Sequence, residues 1–256
     1  MPSGSKTTLV LLRGWMRDQR HWETFPKVLS TTCHEKGLDY KLAMVDIPGN
    51  GHRCQEHTPA SIPDMYQQLQ EELGHSTPLI LIGLSMGGMI ARQWATQNPG
   101  QVHGLVLINS SMRPFARPWE RLQPKVWPQL LKHLGKSLRE REKLIMELTL
   151  SPENRSSERL ETWIDWSHKY PISYHNACRQ LYAAARYKCP TTAAPACPTL
   201  VIGGKNDQLV NPVCSKRMAD SWNCDFVQLP GGHDLPVEHP ERLARHIVDW
   251  LKKLPS

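Results

Sequence analysis

Residues Gly83-Leu84-Ser85-Met86-Gly87 place a serine with a glycine two positions to either side, after an apolar run at 78–83 and before an amphipathic stretch opening at Met86. A tight strand-to-helix turn of this kind strains the serine backbone and exposes its hydroxyl, and the glycines remove side chains that would clash. Serine is a weak nucleophile near neutral pH, so it needs a general base, and that base needs an orienting carboxylate. Asp207 follows the apolar run 199–203, and His233 lies in Pro230-Gly231-Gly232-His233-Asp234. Asp234 adjoins the histidine but points the wrong way along the chain for an orienting partner, so Asp207 is the expected one. His52, His57, His103 and His239 lack a position after a strand and read as surface or structural residues. Ser85, Asp207 and His233 are thus the candidate nucleophile, acid and base of an acyl transfer.

Acyl transfer also builds negative charge on the carbonyl oxygen, which positioned N–H donors must meet. Met86 N–H, at a helix start directly after Ser85, is one candidate. The other is Trp15 N–H, in the turn Arg13-Gly14-Trp15 where Gly14 lets the backbone come close. The Trp15 ring is also a candidate wall of the substrate pocket. Nothing calls for a cofactor, and no H-E-x-x-H or His/Cys/Asp cluster at ligand spacing calls for a metal.

Positioning these groups requires a sheet with covered faces. Apolar runs at 8–13, 41–46, 78–83 and 104–109 alternate with helical patterns at 21–33, 62–73 and 86–97. The alternation resumes with strands at 199–203 and 224–229 and helices at 211–222 and 240–254. Strands that are apolar throughout and separated by helices predict an α/β fold around a mostly parallel sheet. Between these two blocks the strand pattern stops. Residues 112–190 read as a helical lid inserted into a core formed by 1–111 and 191–256. A capping box at Ser137 and Glu140 starts one lid helix, and Ser151-Pro152-Glu153 starts another.

With the serine turn, the Asp207 and His233 loops and Asp46-Ile47-Pro48-Gly49-Asn50-Gly51-His52, which looks like a D-x-P-G-x-G loop, the chain resembles the α/β-hydrolase superfamily along nearly all its length. Arg13 departs from the histidine that members usually carry before the glycine of the oxyanion turn. The short N-terminus, the serine turn and Ile108-Asn109-Ser110-Ser111-Met112-Arg113-Pro114-Phe115-Ala116-Arg117-Pro118-Trp119 leading into the lid resemble the pimeloyl-carrier-protein methyl ester esterase subgroup of biotin synthesis. That resemblance implies a serine carboxylesterase whose substrate is an acyl ester tethered to an acidic carrier protein. A C–C bond hydrolase or lyase with the same triad is the alternative, and a non-catalytic ligand-binding protein of this fold a remote one.

The 256 residues carry 31 basic and 24 acidic side chains, a net charge of +7. The segments 1–111 and 191–256 are each neutral, so the excess lies wholly in 112–190. Arg139, Arg141, Lys143, Arg155 and Arg159 are the candidates for holding an acidic carrier. Solvated helix faces are the plainer explanation, and no nucleic-acid motif is visible. Phe115, Trp119 and Trp163, with Trp15, are the candidate substrate-pocket aromatics. Seven cysteines, an odd number without a C-x-x-C pair, point to reduced thiols. No run reaches the roughly 18 apolar residues of a membrane span, and the start lacks a signal-peptide layout, so a cytoplasmic protein is expected.

Overall fold

The computed structural model describes residues 6–73, 78–132 and 135–254. The apolar runs form six strands, β1 (Thr8–Leu12), β2 (Lys41–Val45), β3 (Leu79–Leu84), β4 (Val102–Ile108), β5 (Thr199–Gly204) and β6 (Asp225–Leu229). They make one sheet in the order β2-β1-β3-β4-β5-β6. Every neighbouring pair is parallel. β3 and β5 are buried along their whole length, as central strands covered on both faces must be. The outer strands β2 and β6 are only partly buried.

Helices α1 (Phe25–Glu35), α2 (Ile62–Leu73) and α3 (Met86–Gln97) belong to the first half of the chain. Between β4 and β5 lie α4 (Pro118–Arg121), α5 (Trp127–Lys132), α6 (Leu138–Thr149), α7 (Ser157–Lys169) and α8 (Tyr174–Arg186). α9 (Val213–Trp222), α10 (Leu235–Glu238) and α11 (Pro240–Leu251) complete the chain. Successive strand residues point to opposite faces, and the core divides accordingly. Val10, Leu12 and Leu81 pack with α2, α3 and α9. Leu9, Leu11, Ile80 and Ile82 pack with α1 and α11.

Two helix starts differ from the sequence expectation. The helix expected over 21–33 starts at Phe25, because Glu23 turns the backbone to φ +48 and residues 19–22 form a separate 3-10 turn. The start expected at 151–153 is also a 3-10 turn, Pro152–Asn154. α7 begins only after Ser156, whose Oγ accepts from Arg159 N at 3.1 Å. The start at Ser137 matches its expectation, since Ser137 N donates to Glu140 Oε2 at 3.1 Å and Ser137 Oγ accepts from Glu140 N at 3.3 Å. Among the described residues, no helix is long and apolar enough to cross a membrane.

Candidate active site

Ser85 stands between the C-terminal end of β3 and the first turn of α3 with φ +56 and ψ −117. A non-glycine residue in this region is strained and persists only where its surroundings hold it. Ser85 N donates to Ile108 O at 2.9 Å, and Gly88 N donates to Ser85 O at 3.0 Å. Ser110 Oγ also donates to Ser85 O. The flanking glycines are sterically required: a Cβ on Gly83 would lie 2.5 Å from Gly88 Cα, and one on Gly87 2.6 Å from Arg13 O. Within the buried run 79–95, Ser85 alone is partly exposed, so its hydroxyl is reachable.

His233 Nδ1 lies 2.7 Å from Asp207 Oδ2, with both side chains buried. The other Asp207 oxygen accepts from Leu209 N at 2.8 Å and Val210 N at 2.9 Å, which fixes the carboxylate in its loop. The histidine loop is held from β4, where Asn109 Nδ2 donates to Gly232 O and His233 O at 3.1 and 2.8 Å. Asn109 Oδ1 accepts from Gly204 N at 2.6 Å, so one buried amide joins the ends of β4 and β5 to this loop. Ser85 and His233 line one cavity of about 40 Å³ with Arg13, Gly14, Trp15 and Thr149.

Asp234 is engaged elsewhere. Arg13 Nη1 and Nη2 donate to its two oxygens at 3.0 and 2.7 Å, and both residues are 2% exposed. Burial pushes the Asp234 carboxyl up, but the Arg13 guanidinium holds it below the usual carboxylate range. The arginine that departs from the family's usual histidine thus ties the turn carrying Trp15 to the loop carrying His233. Asp46 is held in a backbone turn, accepting from Gln19 N at 2.7 Å and His52 N at 3.1 Å. Burial raises its pKa.

Helices α6, α7 and α8 are fastened to the core through polar groups that the sequence patterns did not single out. Glu142 accepts from Arg17 Nη1 at 2.6 Å and from Ser167 Oγ at 2.8 Å. Gln180 is fully buried, donates to Asn50 Oδ1 at 2.6 Å and accepts from Met16 N at 3.0 Å. Asn176 Oδ1 accepts from Thr58 N at 3.0 Å. Trp15 Nε1 donates to Ala177 O at 2.9 Å, placing its ring against α8.

Of the candidate pocket aromatics, Trp15 lines the cavity of Ser85 and His233. It also lines a second cavity of about 150 Å³ shared with Ser85, Met86, Met89, Trp127 and Leu181. The other three differ from expectation. Phe115 packs edge-on against Trp222 in the core. Trp163 is fully buried and donates to Glu23 Oε1 at 2.9 Å. Trp119 is 56% exposed and lies under Arg117. Trp127 takes the wall position expected of them. The candidate partner cations are largely engaged within the chain. Arg139 makes a two-pronged pair with Glu161, Lys143 lies 4.0 Å from Glu147, and Arg159 meets Glu23 at 3.1 Å. Arg155 donates to Leu150 O and Glu147 O, and Arg141 stacks over Tyr174.

With this sheet order, the serine turn after β3 and the acid and histidine loops after β5 and β6, the chain belongs to the Alpha/beta hydrolase family, whose model matches residues 9–246. It is 28% identical over 251 residues to the pimeloyl-[acyl-carrier protein] methyl ester esterase of Yersinia enterocolitica, covering 96% of this chain and 93% of that one. Identity to the protein of the same name from Pectobacterium atrosepticum is 27% over 252 residues, covering 96% and 94%. Among solved structures, the enol-lactonase of Burkholderia xenovorans is similar with a TM-score of 0.75 at 19% identity, over 99% of this chain and 94% of that one. An esterase from Rhodococcus is similar with a TM-score of 0.74 at 20% identity, over 98% and 92%.

Proposed function

We propose that the protein is a serine carboxylesterase working through an acyl-enzyme. The observation that carries this reading is a strained, reachable Ser85 in one cavity with His233, whose far nitrogen is held by buried Asp207. His233 takes the Ser85 proton as Oγ attacks the ester carbonyl, and Asp207 fixes the ring and stabilises the imidazolium. The Met86 and Trp15 amides hold the oxyanion, each donor being worth about 3–4 kcal/mol of barrier. His233 then protonates the departing alkoxide, and water activated by the same imidazole releases the acid. The helices between β4 and β5 act as a lid over the substrate.

The names of the curated relatives support an acyl ester in an acyl-carrier context as the substrate. An acidic carrier protein is then the partner that approaches the basic segment. Ser85→Ala is expected to abolish hydrolysis of p-nitrophenyl butyrate, and a fluorophosphonate probe to label Ser85. Retained turnover in that variant, or labelling at another residue, would refute the assignment.

A further inference from the structure

The cavity that Ser85 shares with Met86 and Met89 has an apolar wall of methionine, tryptophan and leucine side chains and a single charged residue, Arg121. Arg121 closes α4. Its Nη1 donates to Ala185 O at 3.0 Å and Tyr187 O at 3.4 Å, its Nη2 donates to Ala184 O, and Met89 Sδ lies 3.7 Å from Nη2. The three carbonyls belong to the C-terminal end of α8, where the helix dipole offsets part of the guanidinium charge, but none of them carries a formal negative charge. The one acid on α4, Glu120, is taken by Arg217, whose Nη1 and Nη2 donate to it at 2.8 and 3.1 Å. That pairing pulls the Glu120 pKa down to about 2.

Arg121 Nε is buried with no hydrogen-bond partner, and among the described residues Arg121 makes no ion pair. Burial, followed by the nearby charge of Arg113, lowers its pKa to about 10. A partly desolvated cation facing a cavity without a counter-ion gains from any anion that enters. Capping the carbonyls of α8 uses the two terminal nitrogens and offsets only part of the charge, so the guanidinium still has no carboxylate partner among the described residues.

We propose that this cavity is an anion subsite for the substrate, in which Arg121 is the counter-ion for a carboxylate borne on one of the two limbs of the ester. The inference rests on the esterase reading but not on a carrier-tethered substrate, whose acyl limb ends in the carrier linkage, and the class it selects is free half-esters of dicarboxylic acids or esters of hydroxy acids. The cavity volume of about 150 Å³ is equivalent to about five water-sized groups at ~30 Å³ each. A short limb ending in a carboxylate fits that space. Arg121 would set specificity and take no part in bond breaking.

Two pairs of esters separate the limbs. Mono-p-nitrophenyl glutarate against p-nitrophenyl pentanoate places the acid on the acyl side, and the butyrate ester of 4-hydroxybutyrate against butyl butyrate places it on the alcohol side. In one pair, the ratio of kcat/KM for charged over neutral ester should fall at least tenfold in Arg121→Gln and recover in part in Arg121→Lys. A ratio unchanged in both pairs overturns the inference. Calorimetry on Ser85→Ala tests the subsite without turnover and with Arg121 intact. Monomethyl glutarate, or the butyrate ester of 4-hydroxybutyrate, should bind at least tenfold more tightly than its neutral counterpart, and equal binding in both pairs overturns the inference. Wild-type protein inert toward all four esters would instead count against the esterase reading, with the calorimetric result still deciding the subsite.

Discussion

Two carboxylates compete for His233, one adjacent in sequence and one 26 residues away, and what else each can reach separates them. Asp234 is locked to Arg13 across 221 positions, whereas Asp207 is aimed at Nδ1 by two backbone amides of its own loop. Asp207→Asn should leave the fold intact and lower kcat by about 10³–10⁴-fold, the scale expected when the imidazole loses its orienting charge. Asp234→Asn should act on stability, because it leaves a buried guanidinium unpaired, at a cost of about 3–5 kcal/mol. Urea unfolding and kcat measured on both variants check this, and a reversed pattern would make Asp234 the orienting acid. The Ser85, Asp207 and His233 positions were legible because each follows an apolar strand. The Arg13–Asp234 pair was not, since no local pattern links residues that meet only in the folded chain.

At the scale of elements, the strands and the helices 62–73 and 86–97 were readable from apolar periodicity. The helices between β4 and β5 were less so, because polar side chains fasten them to the core. Periodicity does not mark Glu142, Asn176 or Gln180 as inward-facing. Glu142 is buried beside Arg17, which holds its carboxyl below the usual range against the upward push of burial. Its stabilising contribution is therefore present above the unfolded carboxylate pKa of about 4.3 and lost as pH falls below it. His21 titrates in a different window. Burial, then the charge of Arg17, lowers its pKa, so the unfolded chain gains a proton as pH falls through about 6.5 while the folded chain does not. Unfolding free energy should drop between pH 7.5 and 5.5 in the wild type and drop less in His21→Gln; parallel curves would exclude His21 as the cause. Glu142→Ala should cost about 3–5 kcal/mol and speed amide exchange in α6 and α7 more than in β3. Uniform exchange across both regions would mean that the pair does not fasten these helices.

For the whole molecule, the net charge of +7 comes from one segment, and its structure changes what that charge can do. Arg139, Lys143 and Arg159 each sit beside a carboxylate, so the individual contacts expected of them are partly spent within the chain. Pairing a cation with an acid already counted in the sum leaves the net charge unchanged, and the field of 112–190 at a distance stays positive. Attraction of an acidic carrier through that field is a rate effect, because it raises the encounter frequency without requiring a fixed ion pair at the interface. Its range is set by screening, with a Debye length of about 10 Å at 0.1 M salt that shrinks to about 3 Å at 1 M. Raising NaCl from about 0.05 to 0.5 M should therefore lower kcat/KM for a carrier-bound ester by about tenfold or more, with kcat little changed. A free ester of the same chain length arrives without a large opposite charge and should change by less than about twofold over the same range. If both substrates respond equally to salt, the positive segment does not steer a carrier, and its excess charge is a property of solvated helix faces.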